Sequence, residues 1–225
     1  MIVQLGFYVL SAIAFGMIVS LLTYADKKLV TRYLVSGSVW LIYVAVISAT
    51  GILGDFSLPP RVPLFVVIPT VVASIVITGR PSFRSLLENA PLHLPVFMTS
   101  FRIVVELLIY GAYREGVFPQ RVTFGGMNYD ILVGVSACVV GVLVLKRRFS
   151  LNGLFVWNVV SLAILSVTVY AFASSYYSND LMTLNDKLKF VRFPYLLVPA
   201  ILLPVAIFLH VFSIRQVFIA RQKRS

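Results

Sequence analysis

The chain has 225 residues, of which 60% are apolar and only 12% charged, with a mean hydropathy of +0.96. A soluble domain usually carries about 25% charged residues and could not hide this much apolar surface from water, so lipid is the fitting solvent. The formal charge of +11 would point to nucleic acid in a soluble protein. Here the basic residues sit between apolar runs, where they meet lipid phosphates and set topology, and no nucleic-acid partner is expected.

A membrane-crossing helix needs about 20 mostly apolar residues. Runs of that kind fall at roughly 2–24, 30–53, 63–79, 95–114, 129–145, 150–174 and 193–218. They predict one all-α domain over 1–225, a polytopic bundle of seven transmembrane helices. The first run lacks a basic leader, and its charges (Asp26, Lys27, Lys28) follow the apolar stretch, which suits a retained anchor better than a cleaved signal. Segment 80–94 is too polar to span. Ser85 and Glu88 have capping-box spacing, and an interfacial helix at about 82–90 is expected to turn Phe83, Leu86 and Leu87 to lipid.

The loops 115–128 and 175–192 are rich in polar, aromatic and turn residues and fall on one side of the membrane. In the last run Pro194 suits a helix start, while Pro199 and Pro204 predict a kink. One set of connections carries twelve Lys and Arg: Lys27, Lys28, Arg32, Arg80, Arg84, the 146–148 run, Arg215, Arg221, Lys223 and Arg224. The other set carries six: Arg61, Arg114, Arg121, Lys187, Lys189 and Arg192. The excess places the first set in the cytoplasm, hence the N-terminus outside and the C-terminus inside.

Ionisable residues inside spans are costly in lipid and face the bundle interior. Thr99, Arg102, Glu106, Tyr110 and Tyr113 follow spacings of 3, 4, 4 and 3 in the fourth span. At about 100° per residue they share one face. One account is an intrahelical Arg102–Glu106 ion pair that only holds helices together, although Arg before Glu is the less favourable order. The other is a polar cavity open to the outer face, with Glu106 at its floor and Tyr110 and Tyr113 at its entrance. Asn128, Asp130 and Arg121 would close it, with Thr123 and Arg192 nearby. Asp130 also fits a simple helix-dipole charge. Asn158 is expected to hydrogen-bond across helices and His210 to be a packed or interfacial histidine.

Several classes lack their residues. The last span has no lysine for a retinal Schiff base. His93 and His210 are too few for a histidine-rich zinc hydrolase, and no metal site is expected. Asp55 and Asp130 sit at span edges, unlike the aspartates of an intramembrane protease. Pro119-Gln120 echoes small sugar transporters but lies in a loop. The lone Cys138 cannot form an intrachain disulfide. No residue set supports an ordinary catalytic assignment, and nothing specifies a cofactor or an oligomeric state.

The stretch 101–137 resembles a motif block of an uncharacterised family of bacterial seven-helix membrane proteins, R-x-x-x-E followed by P-x-x-x-T-F-x-G-x-N-x-D-I-L. Arg102, Glu106, Pro119, Thr123, Phe124, Gly126, Asn128 and Asp130 carry the match. The stretch 193–216 is similar as well, though the charges before it (Asp186, Lys187, Lys189, Arg192) depart from the pattern. The resemblance implies the same architecture in a bacterial inner membrane and supplies no activity. The leading expectation is a non-enzymatic protein that binds a small polar, amphipathic or lipid ligand. Arg102 would anchor an anionic group and Glu106 would balance it. The alternatives are a proton-coupled small-solute transporter using Glu106, and a membrane-embedded lipid-modifying enzyme.

Overall fold

The computed structural model describes residues 1–25, 27–177 and 182–223. Asp26, the stretch 178–181 of the loop 175–192 and Arg224, all used in the topology argument above, lie outside the described residues. Among the described residues every regular element is helical. They are α1 (Ile2–Leu22), α2 (Lys27–Ala49), α3 (Ile68–Gly79), α4 (Pro81–Asn89), α5 (His93–Met98), α6 (Phe101–Arg114), α7 (Asp130–Leu145), α8 (Leu151–Tyr177), α9 (Leu184–Phe190) and α10 (Leu203–Gln222).

Five helical stretches are long and apolar enough to cross a membrane: α1, α2, α5 with α6, α8, and Val198–Gln222. A sixth is available if Pro63–Gly79 and α4, bent by 79° to each other, count as one broken span. The helix α7 is apolar but has only 16 residues. At 1.5 Å per residue it rises about 24 Å, short of the roughly 30 Å of a hydrocarbon core.

The helix α10 is the central post. It packs on α8, α3, α5 and α4, while α6 lies between α1 and α7. Small residues set the closest approach. At Gly134 of α7 a Cβ would lie 2.8 Å from the backbone nitrogen of Ile103, and at Gly141 it would lie 2.7 Å from the Phe97 ring. Such residues let helix backbones touch in lipid, where dispersion packing holds helices together. The buried face of α8 reads Leu154, Asn158, Ser161, Leu165, Thr168, Ala171, Ser175, a 3–4 spacing that gives one inward stripe.

Proline controls the irregular helices. Pro63–Val67 and Val198–Leu202 are π-helical turns leading into α3 and α10. Pro69 and Pro204 have no N–H to return to the carbonyls of Phe65 and Ala200, one turn earlier. Both oxygens take donors from α2 instead: Tyr43 Oη donates to Phe65 at 3.3 Å and Trp40 Nε1 to Ala200 at 2.9 Å. In lipid each such group must find a partner inside the protein. The regular part of the last helix therefore begins at Leu203, later than the expected 193.

Two expectations need correction. The apolar face of α4 looks into the bundle and away from lipid: Phe83, Leu86 and Leu87 are buried. Gln216 of α10 ties it down by donating to the carbonyls of Leu87 (3.3 Å) and Ala90 (2.7 Å). Ser85 and Glu88 form no capping box, because α4 already begins at Pro81; Ser85 accepts from Asn89 while Glu88 pairs with Arg84 and Lys223. The fourth span is also interrupted at Thr99 and Ser100, between α5 and α6. There the N–H groups of Ser100, Arg102 and Ile103 donate three residues back, a tightened turn.

Candidate functional site

Arg102 and Asp130 form an ion pair with side chains only 2% and 5% exposed. The close contact of α6 and α7 at Gly134, one turn beyond Asp130, brings the carboxylate to the guanidinium. Arg102 Nη1 also lies 3.3 Å from His210 Nε2 of α10. A guanidinium only donates, so Nε2 accepts and the imidazole proton sits on Nδ1. From there it donates to Asn158 Oδ1 at 2.9 Å. Asn158 Nδ2 donates onward to Ser213 Oγ (3.0 Å) and to the Leu154 carbonyl (2.8 Å). A directed chain of hydrogen bonds thus runs from α6 through α10 to α8.

Glu106 belongs to a second network centred on Asn128. Asn128 Nδ2 donates to Glu106 Oε2 at 2.7 Å and to the Val122 carbonyl at 3.0 Å. Its Oδ1 accepts from the Asp130 N–H at 3.0 Å and from the Thr168 hydroxyl at 2.8 Å. All four polar capacities of one buried amide are used, across α6, α7, α8 and the loop.

The loop that delivers Asn128 is folded on itself. Thr123 Oγ1 donates to the Gln120 carbonyl (2.8 Å) and accepts from the Gly125 N–H (3.2 Å). The Thr123 carbonyl accepts from Gly126 (2.8 Å) and Asn128 (3.3 Å). At Gly126 a Cβ would fall 2.5 Å from the Gln120 oxygen, so this turn has room only for glycine. The T-F-x-G-x-N-x-D spacing is the loop's own hydrogen-bonding pattern.

Arg102, Glu106 and Asp130 form part of the wall of a cavity of about 80 Å³. The rest of its lining is almost entirely apolar and comes from the π-turns of α3 and α10, from α6 and from α8, with Thr168 a further polar group. The cluster holds two carboxyls and one guanidinium. Asp130 and His210 occupy that guanidinium, whereas Glu106 Oε1 has no hydrogen-bond donor among the described residues. Among the described residues no three His, Cys, Asp or Glu side chains are grouped to hold a metal ion.

Of the residues singled out from sequence, Arg102, Glu106, Asn128 and Asp130 meet in the interior, and Asn158 joins them through His210. The pairing differs from expectation. Arg102 is matched with Asp130 across helices, so neither the intrahelical Arg102–Glu106 pair nor an Arg102 left open to an anion is found. Thr99 is buried, with its hydroxyl donating to the Pro95 carbonyl at 2.9 Å. Tyr110 and Tyr113 do not line the cavity; Tyr110 stacks on Phe124 at 4.8 Å and meets Tyr113 at 5.8 Å. Arg121 and Arg192 are exposed and do not line the cavity.

Thr168, Ser213 and the bonding role of His210 went unread. For Thr168 the signal was present in the 3–4 spacing of Asn158, Ser161 and Thr168 along one face of α8. His210 and Ser213 stand three apart on α10, a polar face that continues to Gln216.

Fold and site together define a polytopic, all-helical integral membrane protein with an ionic cluster buried in its bundle. The chain matches no protein-family model, no curated protein and no solved structure.

Proposed function

We propose that this is a seven-span bacterial inner-membrane protein, N-terminus outside and C-terminus inside, of the family that carries the R-x-x-x-E and T-F-x-G-x-N-x-D-I-L block. Its role is to bind a small amphipathic ligand in the cavity beside Glu106. Contacts at the two ends of the bundle support the sevenfold threading. At one end Met1 approaches Glu115, Lys189 donates to the Gly116 carbonyl, and Tyr177 accepts from the Val62 N–H. At the other, Lys223 approaches Glu88 and Arg221 donates to Asn152. These two sets fit helices that alternate in direction, with the basic-rich connections together.

Glu106 carries the functional reading. It is the carboxyl of the cluster that is not ion-paired, its Oε1 meets no protein donor among the described residues, and it sits on an apolar-walled space. A ligand of only a few heavy atoms, offering a cationic or hydrogen-bond-donating group to Glu106 and an apolar body to the walls, suits that chemistry and a cavity of about 80 Å³. The test is native mass spectrometry in mild detergent of the wild type beside Glu106→Gln. A discrete small-molecule adduct held by the wild type and lost from the variant supports the assignment. Identical spectra, with equal thermal stability of the two proteins, sink it.

Proton-coupled transport is the second reading. The observation that favours it is local: α3, α6 and α10 all lose regular α geometry where they meet the cavity, as discontinuous helices do in transporters. Proteoliposomes given a pH gradient would show proton flux that Glu106→Gln abolishes. No flux in the wild type removes this alternative.

A further inference from the structure

A second, larger crevice lies between α2 and the faces of α3 and α10, with α1 as its back wall, and holds about 550 Å³. Pockets for small organic ligands run from about 300 to 1,000 Å³. Its shape follows from how α2 is attached. Trp40, Tyr43 and Ser48 fasten one half of α2 by bonds to the carbonyls of Ala200, Phe65 and Val191. The other half leans on α1, where Gly37 meets the Phe15 ring and Tyr33 stacks on it at 4.7 Å. Along this second half the helix stands away from α3, and Val44, in the fastened half, is the one buried residue of α2.

The crevice is amphipathic along its length. Near Trp40, Leu41 and Pro204 its walls are apolar. At the opposite end Arg32 of α2, Arg80 at the start of α4 and Ser82 in the first turn of α4 converge on it. Neither arginine has an ion-pair partner among the described residues. Arg80 is the N-cap residue of α4 and supplies no side-chain cap; Pro81 has no N–H and that of Phe83 donates to the Arg80 carbonyl, which leaves the Ser82 N–H as the first-turn donor at that end. Two uncommitted guanidinium groups beside an uncapped helix start make a site for a phosphate diester.

We propose that this crevice holds an anionic phospholipid, its phosphate between Arg32, Arg80 and Ser82 and an acyl chain along the apolar wall towards Trp40. A free phosphate would leave the apolar length of the crevice empty, and a zwitterionic lipid would bring its ammonium group into the field of the two guanidinium charges, which an anionic lipid does not. The proposal needs only that α2 and α3 stand in a bilayer and is independent of any ligand at Glu106.

The experiment is native mass spectrometry of the detergent-solubilised full chain titrated with phosphatidylglycerol, phosphatidylcholine and inorganic phosphate in separate series. The expected result is retention of one phosphatidylglycerol in preference to phosphatidylcholine. Removing both charges in Arg32→Gln with Arg80→Gln lowers that affinity about twenty-fivefold, at roughly fivefold per basic residue. Ala73→Trp, which fills the groove with the arginines intact, lowers it as well, and Arg32→Lys retains most of it. Glu106→Gln leaves it unchanged, which separates this site from the one above. Equal binding of the two lipids, binding that survives the double arginine change, or displacement of the lipid by millimolar phosphate would each overturn the proposal. Thermal unfolding of every variant identifies loss through misfolding, and Ala73→Trp and Arg32→Lys then decide the matter.

Discussion

Arg102 of α6 is ion-paired with Asp130 of α7, and the same guanidinium donates to His210 of α10 at 3.3 Å. Three helices thereby share one buried cation, and the carboxyl on Arg102's own helix, Glu106, is left to a different partner.

Removing one member of a buried ion pair strands the other. Asp130→Leu is expected to lower stability by about 3–5 kcal/mol, while Asp130→Leu combined with Arg102→Met recovers much of that loss. Thermal unfolding in one detergent, read by circular dichroism, checks both. A single variant as stable as wild type would show that the pair is not formed.

Asn128 is the joint between the loop and three helices, and its replacement leaves several buried groups unmet. Asn128→Ala should cost about 1–3 kcal/mol. Asn128→Asp should be worse than Asn128→Ala, since it sets a third carboxyl against Glu106 and Asp130 with only Arg102 to offset them. The order of the two unfolding midpoints is the measurement.

Close helix contact makes some glycines irreplaceable and others not. Gly134→Ala puts a methyl 2.8 Å from the Ile103 backbone nitrogen, which cannot swing away, whereas Gly6→Ala meets only the mobile tip of Leu108. Gly134→Ala is expected to destabilise by about 1–3 kcal/mol and Gly6→Ala by clearly less. Comparable losses at the two sites would contradict the packing described for α6 and α7.

The direction of the hydrogen-bond chain fixes the His210 tautomer. Nitrogen-15 NMR of histidine-labelled protein at neutral pH should show one imidazole with a protonated Nδ1 and a bare Nε2. Asn158→Leu removes the acceptor of that proton and should change the signal, although Asn158 lies on another helix.

The turn after α2 has a pH signature. The Ser57 hydroxyl and N–H, and then Arg61, hold the exposed Asp55 carboxyl down to about 2. A carboxyl depressed in the folded state contributes its stability above its unfolded value, about 3.9, and loses it as pH falls through the folded one. The protection of the Ser57 amide against exchange, relative to the unfolded chain at the same pH, should hold at pH 4 and fall towards pH 2, since its N–H donates to Asp55 at 2.9 Å. In Asp55→Asn that step disappears.

Much of this protein is legible along the chain, because lipid leaves few choices. Apolar length with satisfied backbone bonds allows only helices here, and the cost of burying charge forces Arg102, Glu106 and Asp130 inward wherever the helices stand. The sequence alone therefore determined the helical membrane class, the interior face of α6 and the candidate status of Asn128 and Asp130. It could not decide which acid meets Arg102. That depends on the depth at which α7 sits against α6, and Gly134 sets this through a backbone contact that no intrahelical spacing encodes. Likewise, Pro199 and Pro204 announced an irregular last helix, but only the packed bundle shows the same at Pro69 and α2 supplying the missing donors through Tyr43 and Trp40. Pairings across helices depend on rotation and depth, and those are properties of the assembled bundle.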